Sequence, residues 1–155
     1  MRSPAPFESA QLILKLYELR REPVVRRARA WFVRDFNPKT FDELTKLAGG
    51  RHSAWFRMVL GYWDMAASFV TAGAIDAAMF RAANSEVFAT FAKVEPFLAE
   101  LRAASHFPEF LVPLQTVVQE TPGAAERTAG LRGQFRALSR GLGGHRRRKG
   151  RTETR

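Results

Sequence analysis

The longest apolar run lies between Trp55 and Thr71, and it is broken only at Arg57, Gly61, Asp64 and Ser68. These four residues are spaced four, three and four apart, which places them on one narrow line of a helix. Apolar and small side chains surround that line, so the pattern predicts a central helix over about residues 53–72, buried on most of its circumference. A membrane span needs about 20 uninterrupted apolar residues, and Arg57 and Asp64 interrupt this one. Gly73 follows the run and suits the left-handed position beyond a helix end. Asp76 fits an N-cap, with Ile75 and Phe80 placed as a hydrophobic staple. Gly73-Ala74-Ile75-Asp76 therefore reads as a tight connection between two helices.

Helical periodicity continues on both sides. Phe7 to Arg21 carries Ala10, Ile13, Leu14 and Tyr17 on one stripe, widened by Leu12, Leu16 and Leu19. Pro23 predicts a break or kink at Arg21–Glu22. Val24 to Phe36 then presents Val24, Val25, Ala28, Trp31 and Phe32 inward. Asn37-Pro38 ends that helix, and Thr40-x-x-Glu43 forms a capping box for a short helix with Phe41, Leu44 and Leu47 inside. Beyond Asn84-Ser85, a helix lined by Phe88, Phe91, Val94, Leu98 and Leu101 is bent at Pro96. His106-Phe107-Pro108 is a turn, and Pro108 is placed to open a last core helix. Thr121-Pro122-Gly123 is the clearest boundary. After it, Ala124–Leu142 keeps a weak helical pattern, and the polar stretch from Gly143 onward reads as disorder. No internal repeat occurs, and no period-two run is long enough for a strand.

The elements add up to an all-α protein: a five- or six-helix bundle around one central apolar helix, over residues 7–120. Residues 121–155 form a basic, flexible, partly helical C-terminal tail. Charge sharpens this division. The formal net charge is +10. Residues 1–120 hold 15 basic and 13 acidic side chains, and residues 121–155 hold 10 and 2. The body is near neutral and the tail is not, which suits an arm that meets a polyanion or one that keeps the protein dissolved. Arginine outnumbers lysine 20 to 5, as a GC-rich genome also produces. There is no cysteine, hence no disulfide or thiolate chemistry, which fits a cytoplasmic protein. The N-terminal residues lack the continuous apolar core of a signal peptide.

Candidate chemistry is sparse. His52, His106 and His145 are scattered and match no metal-ligand spacing, so neither a metal nor a cofactor is expected. Nucleophile elbows and phosphate loops are absent, and Gly141, Gly143 and Gly144 read as a hinge. Arg57 and Asp64 are the charged pair built into the most apolar helix. Two turns apart, they do not meet each other directly. They point to a small polar pocket for an anionic or amine ligand, to structural ion pairs (Asp64 with an arginine of residues 20–34 and Arg57 with a carboxylate such as Glu18 or Glu95), or to an exposed strip. Arg20, Arg27 and Arg34 recur every seven residues, flanked by Arg26 and Arg29. With Glu18, Glu22 and Asp35 nearby they read as a solvated helix face. Arg146, Arg147, Arg148, Lys149 and Arg151 are the candidate nucleic-acid contacts, acting on phosphates with little base specificity.

Tyr62-Trp63-Asp64-Met65-Ala66-Ala67 followed by Gly73-Ala74-Ile75-Asp76, together with Trp31-Phe32 and Phe36-Asn37-Pro38, resembles small bacterial all-helical proteins catalogued only as domains of unknown function. The resemblance covers about residues 10–120. It implies an all-helical bacterial cytosolic domain and transfers no catalytic residue. The expectation is a non-enzymatic protein-interaction or regulatory module, with a protein partner or a homo-oligomer. The alternatives are nonspecific nucleic-acid binding through the tail and an Arg57/Asp64 ligand pocket.

Overall fold

The computed structural model describes residues 4–149, with side chains for residues 4–140. Among the described residues it is all-helical, with nine α-helices and one 3-10 turn. In chain order these are α1 Pro6–Arg20, α2 Pro23–Arg34, α3 Phe41–Gly49, α4 Ser53–Thr71 and α5 Ala77–Ala83. They continue with α6 Glu86–Val94, the 3-10 turn Glu95–Phe97, α7 Leu98–Ser105, α8 Val112–Gln119 and α9 Ala124–Lys149. Eight α-helices precede residue 120, more than the five or six expected. Proline accounts for the excess. Pro23 opens α2 as a new helix instead of kinking α1, and Pro96 tightens one turn between α6 and α7.

The helix α4 is central. It packs most extensively on α8 and α2, and also touches α3 and α6. Phe56, Val59, Leu60, Trp63, Ala66 and Ala67 are buried along it. Its far side is open at Arg57, Gly61 and Met65. The α4–α5 connection has the geometry its residues imply. Gly73 sits at φ 75°. Its N–H donates to the Val70 carbonyl at 2.9 Å, and the Ala74 N–H donates to Phe69 at 2.8 Å. These two bonds close the helix end. The Asp76 carboxylate accepts from the Met79 N–H at 2.8 Å, and Ile75 and Phe80 are both buried in the core. The capping box of α3 forms by half: Thr40 accepts from the Glu43 N–H at 3.2 Å, but the Glu43 carboxylate turns to the Lys39 N–H at 2.7 Å.

Three expectations in the last third need correction. Pro108 does not open the last core helix; α8 begins at Val112, with Pro113 in its first turn and Leu111 before it at φ 59°. The hinge glycines 141, 143 and 144 and the start of the polar stretch lie inside α9, which runs to Lys149. No proline occurs between Ala124 and Lys149, and interior glycine costs a helix only about 1 kcal/mol. The first turns of α9 pack on α6: Thr128 is buried, Arg127 lies 4.5 Å from the Phe88 ring centroid, and Arg132 pairs with Glu95.

Candidate functional site: an arginine cleft at the α1–α2 corner

Neither Arg57 nor Asp64 lines the arginine cleft. Arg57 is exposed and has no ion-pair partner among the described residues. Glu18 pairs with Lys15, and Glu95 with Arg132. Asp64 meets no arginine of residues 20–34. Its Oδ1 accepts from the Leu114 N–H at 3.0 Å, so it caps α8 from outside, where Leu111 supplies no side-chain cap. Burial raises the Asp64 pKa, opposed by that N–H and by Arg102. Arg146, Arg147, Arg148 and Lys149 fall on helical backbone at the end of α9, and Arg151 lies outside the described residues. Among the described residues no group of three His, Asp or Glu is placed to hold a metal ion. No described helix is long and apolar enough to cross a membrane.

A cavity of the fold lies at the α1–α2 corner. The chain breaks at Arg21–Glu22, and the break folds the last turn of α1 against the first turns of α2. A cleft of about 590 Å³ results, lined by Tyr17, Arg20, Arg21, Arg26, Arg29, Ala83, Ser85 and Glu86. The last three come from the α5–α6 junction. Four guanidinium groups thus face one carboxylate.

Arg29 is the structural member. Its Nε donates to Glu86 Oε1 at 2.8 Å, its Nη2 to Glu86 Oε2, and its Nη1 to the Arg20 carbonyl at 3.2 Å. This fork ties α2 to α6 and satisfies the C-terminal end of α1. The hydrogen bond to Glu86 raises the Arg29 pKa further, against the lowering effect of burial. Tyr62 donates to the Leu16 carbonyl at 2.6 Å. Burial pushes the Tyr62 phenol up to about 12, although Arg20 and Arg29 pull it down. The corner is therefore rigidly held from beneath.

The other three arginines are held by no carboxylate among the described residues. The Arg20 guanidinium lies 5.0 Å from the Tyr17 ring centroid and 5.8 Å from that of Trp63. Arg21 lies 5.7 Å from the same Tyr17 ring. Two cations close to one ring repel each other unless an anion joins them. Planar forks at this spacing suit bidentate recognition of phosphate or carboxylate oxygens. The heptad stripe Arg20–Arg27–Arg34 does not form, because it required α1 and α2 to be collinear. Arg34 instead pairs with Asp35, as the solvated-face reading expected. The signal for the cleft was present in the sequence: arginines on both sides of a proline break meet when the chain turns there.

Fold and cleft together define an all-helical protein with a preformed basic cleft and no described metal or nucleophile constellation. The chain belongs to the family described as Domain of unknown function (DUF4760), which it matches over residues 5–121. That span contains every residue of the cleft and stops within the Thr121-Pro122-Gly123 turn. No curated protein and no solved structure matches the chain.

Proposed function

We propose that the protein is a non-enzymatic interaction module that holds an anionic group of its partner, a phosphate or carboxylate, in the α1–α2 arginine cleft. The observation that supports this most is the set Arg20, Arg21 and Arg26, three guanidinium groups around one cleft without a carboxylate of their own. Glu86 is already engaged by Arg29, so the site's net positive charge is left for a ligand. The resemblance and the lack of cysteine support a bacterial, cytoplasmic setting for the module.

Titration calorimetry with inorganic tripolyphosphate at low salt tests the reading. Saturable binding that weakens with salt is expected. Arg21→Glu or Arg26→Glu should weaken it roughly 10-fold or more, since hydrogen bonds to charged groups contribute about 1.5–3 kcal/mol. Both side chains are exposed, so the variants keep the fold. No binding, or binding indifferent to both changes, would remove the proposal.

A second reading rests on the charge of residues 121–155. It is salt-sensitive, nonspecific nucleic-acid binding through Arg146, Arg147, Arg148, Lys149 and Arg151. Deleting residues 143–155 separates the two. Loss of a DNA or RNA mobility shift with tripolyphosphate binding intact assigns nucleic acid to the tail and small anions to the cleft.

A further inference from the structure

The exposed apolar side chains of α1 are ordered. Phe7, Leu14 and Tyr17 are 73 %, 58 % and 47 % exposed. With Ala10 and Arg21 they follow a three–four–three–four spacing, which is one line of a helix and the seam of a helix pair. The inner line of α1 is different: Ser9 and Leu16 are buried, and Ile13 packs on the core. The Ser9 hydroxyl also accepts from the Asp76 N–H at 3.0 Å. So α1 is anchored by one face and carries a second apolar face with no partner among the described residues. That outer line does not end in solvent. Its last two members, Tyr17 and Arg21, line the arginine cleft. From residue 7 to residue 21 the line is ~21 Å long at the rise of an α-helix.

We propose that the outer line of α1 and the arginine cleft are one docking surface for an amphipathic helix of a partner protein. The partner's apolar residues lie on Phe7, Leu14 and Tyr17, and its acidic end lies among Arg20, Arg21 and Arg26. This rests on the cleft being an anion site, and it adds the class of partner. Charge selects that class over the other occupants of such a face. An anionic membrane favours a helix whose polar face is basic, but the polar residues of α1 before the cleft are Glu8, Gln11, Lys15 and Glu18. A second copy of the chain carries Glu8 near the far end of the same line, one carboxylate for the three guanidinium groups of Arg20, Arg21 and Arg26. A helix with apolar residues at heptad spacing and carboxylates in one terminal turn satisfies both halves of the surface.

Fluorescence anisotropy with a labelled 20-residue peptide tests this. The peptide carries Leu at heptad a and d positions, Gln and Ala elsewhere, and four Glu at one end. Saturable binding at low salt is expected. It should weaken 10-fold or more with Leu14→Ser, with Arg21→Glu, and when the peptide's Glu are replaced by Lys. Circular dichroism checks that the variants fold. No saturable binding overturns the proposal. So does an affinity unchanged by both Leu14→Ser and Phe7→Ser; if tripolyphosphate still binds, the cleft reading then survives alone. An affinity unchanged by Arg21→Glu also overturns it. Leu14-dependent binding to phosphatidylglycerol vesicles, or Leu14-dependent self-association in sedimentation, gives the line to a membrane or a second copy, and either overturns it.

Discussion

Lys93 has more hydrogen-bond partners than any other side chain among the described residues. It lies in α6, 7 % exposed. Four acceptors surround its Nζ, the carbonyls of Phe32 at 2.8 Å, Val33 at 2.6 Å and Phe36 at 2.9 Å and Asn37 Oδ1 at 2.9 Å, and its three N–H groups are shared among them. The Phe135 ring of α9 covers it, with the centroid 4.4 Å away. The ammonium thus satisfies the free carbonyls at the end of α2 and complements that end's negative dipole. Burial pulls its pKa down to about 7, and Asp35 pulls weakly upward. The sign follows from linkage. The unfolded lysine keeps its proton to about pH 10.4, so between about pH 7 and pH 10 the unfolded chain binds more protons. This group's contribution to stability therefore rises with pH across that window and is smallest below pH 7. Lys93→Met leaves the α2 carbonyls without a donor, at about 1–3 kcal/mol for each buried group left unpaired. Urea unfolding should show the variant less stable throughout, with a deficit that widens from pH 7 to pH 10. A deficit independent of pH would mean that Lys93 titrates normally in the fold. Nothing near Lys93 in the sequence announces this role, because its acceptors lie 56 to 61 positions away.

At the scale of elements, what was legible is what is local. The Gly73 stop, the Asp76 cap and the Ile75–Phe80 staple involve residues within eight positions of one another, and each forms as its spacing implies. Two glycines of α4 and its exit give opposite tests. Gly61 is exposed inside α4 with nothing within 4 Å of an added Cβ, so Gly61→Ala should stabilise by about 0.5–1 kcal/mol through the unfolded chain's lost entropy. Gly73 has the same open space but φ +75°, so Gly73→Ala should destabilise by about 1–2 kcal/mol. Paired thermal and urea unfolding would show the two alanines moving the midpoint in opposite directions. Movement in the same direction would contradict the helix end described here. What was not legible is what closes over distance. Asp64 was visible as a charge that needed a partner, yet the partner is a backbone N–H 50 residues on. The arginine cleft depended on the angle between α1 and α2, which periodicity does not carry. Pro23 marked the break, but only tertiary packing decides which arginines it brings together.

For the whole molecule, the open question of architecture is where the body ends. Family likeness stops at residue 121, and charge changes at the same place, yet packing continues. Ala124 and Thr128 are buried, Leu131 packs on the core cluster, Arg132 pairs with Glu95, and Phe135 covers Lys93. The described side chains end at Arg140, and the contacts that join α9 to the body fall between Ala124 and Phe135. The two halves of α9 should therefore separate energetically. Ending the chain at residue 121 uncovers the Phe88–Lys93–Glu95 face of α6 and strips an aromatic cover from a buried cation. With two half-buried apolar side chains lost, the cost is about 2–3 kcal/mol. Ending the chain at residue 142 removes no hydrophobic residue and six of the ten basic residues beyond 120, and should leave the urea midpoint unchanged while lowering any affinity for nucleic acid. A 1–121 chain as stable as the full protein would make α9 an appendage, with its helix merely resting on α6. Midpoints that fall only for the shorter chain would make the first four turns of α9 part of the domain. The basic remainder is then the separable arm.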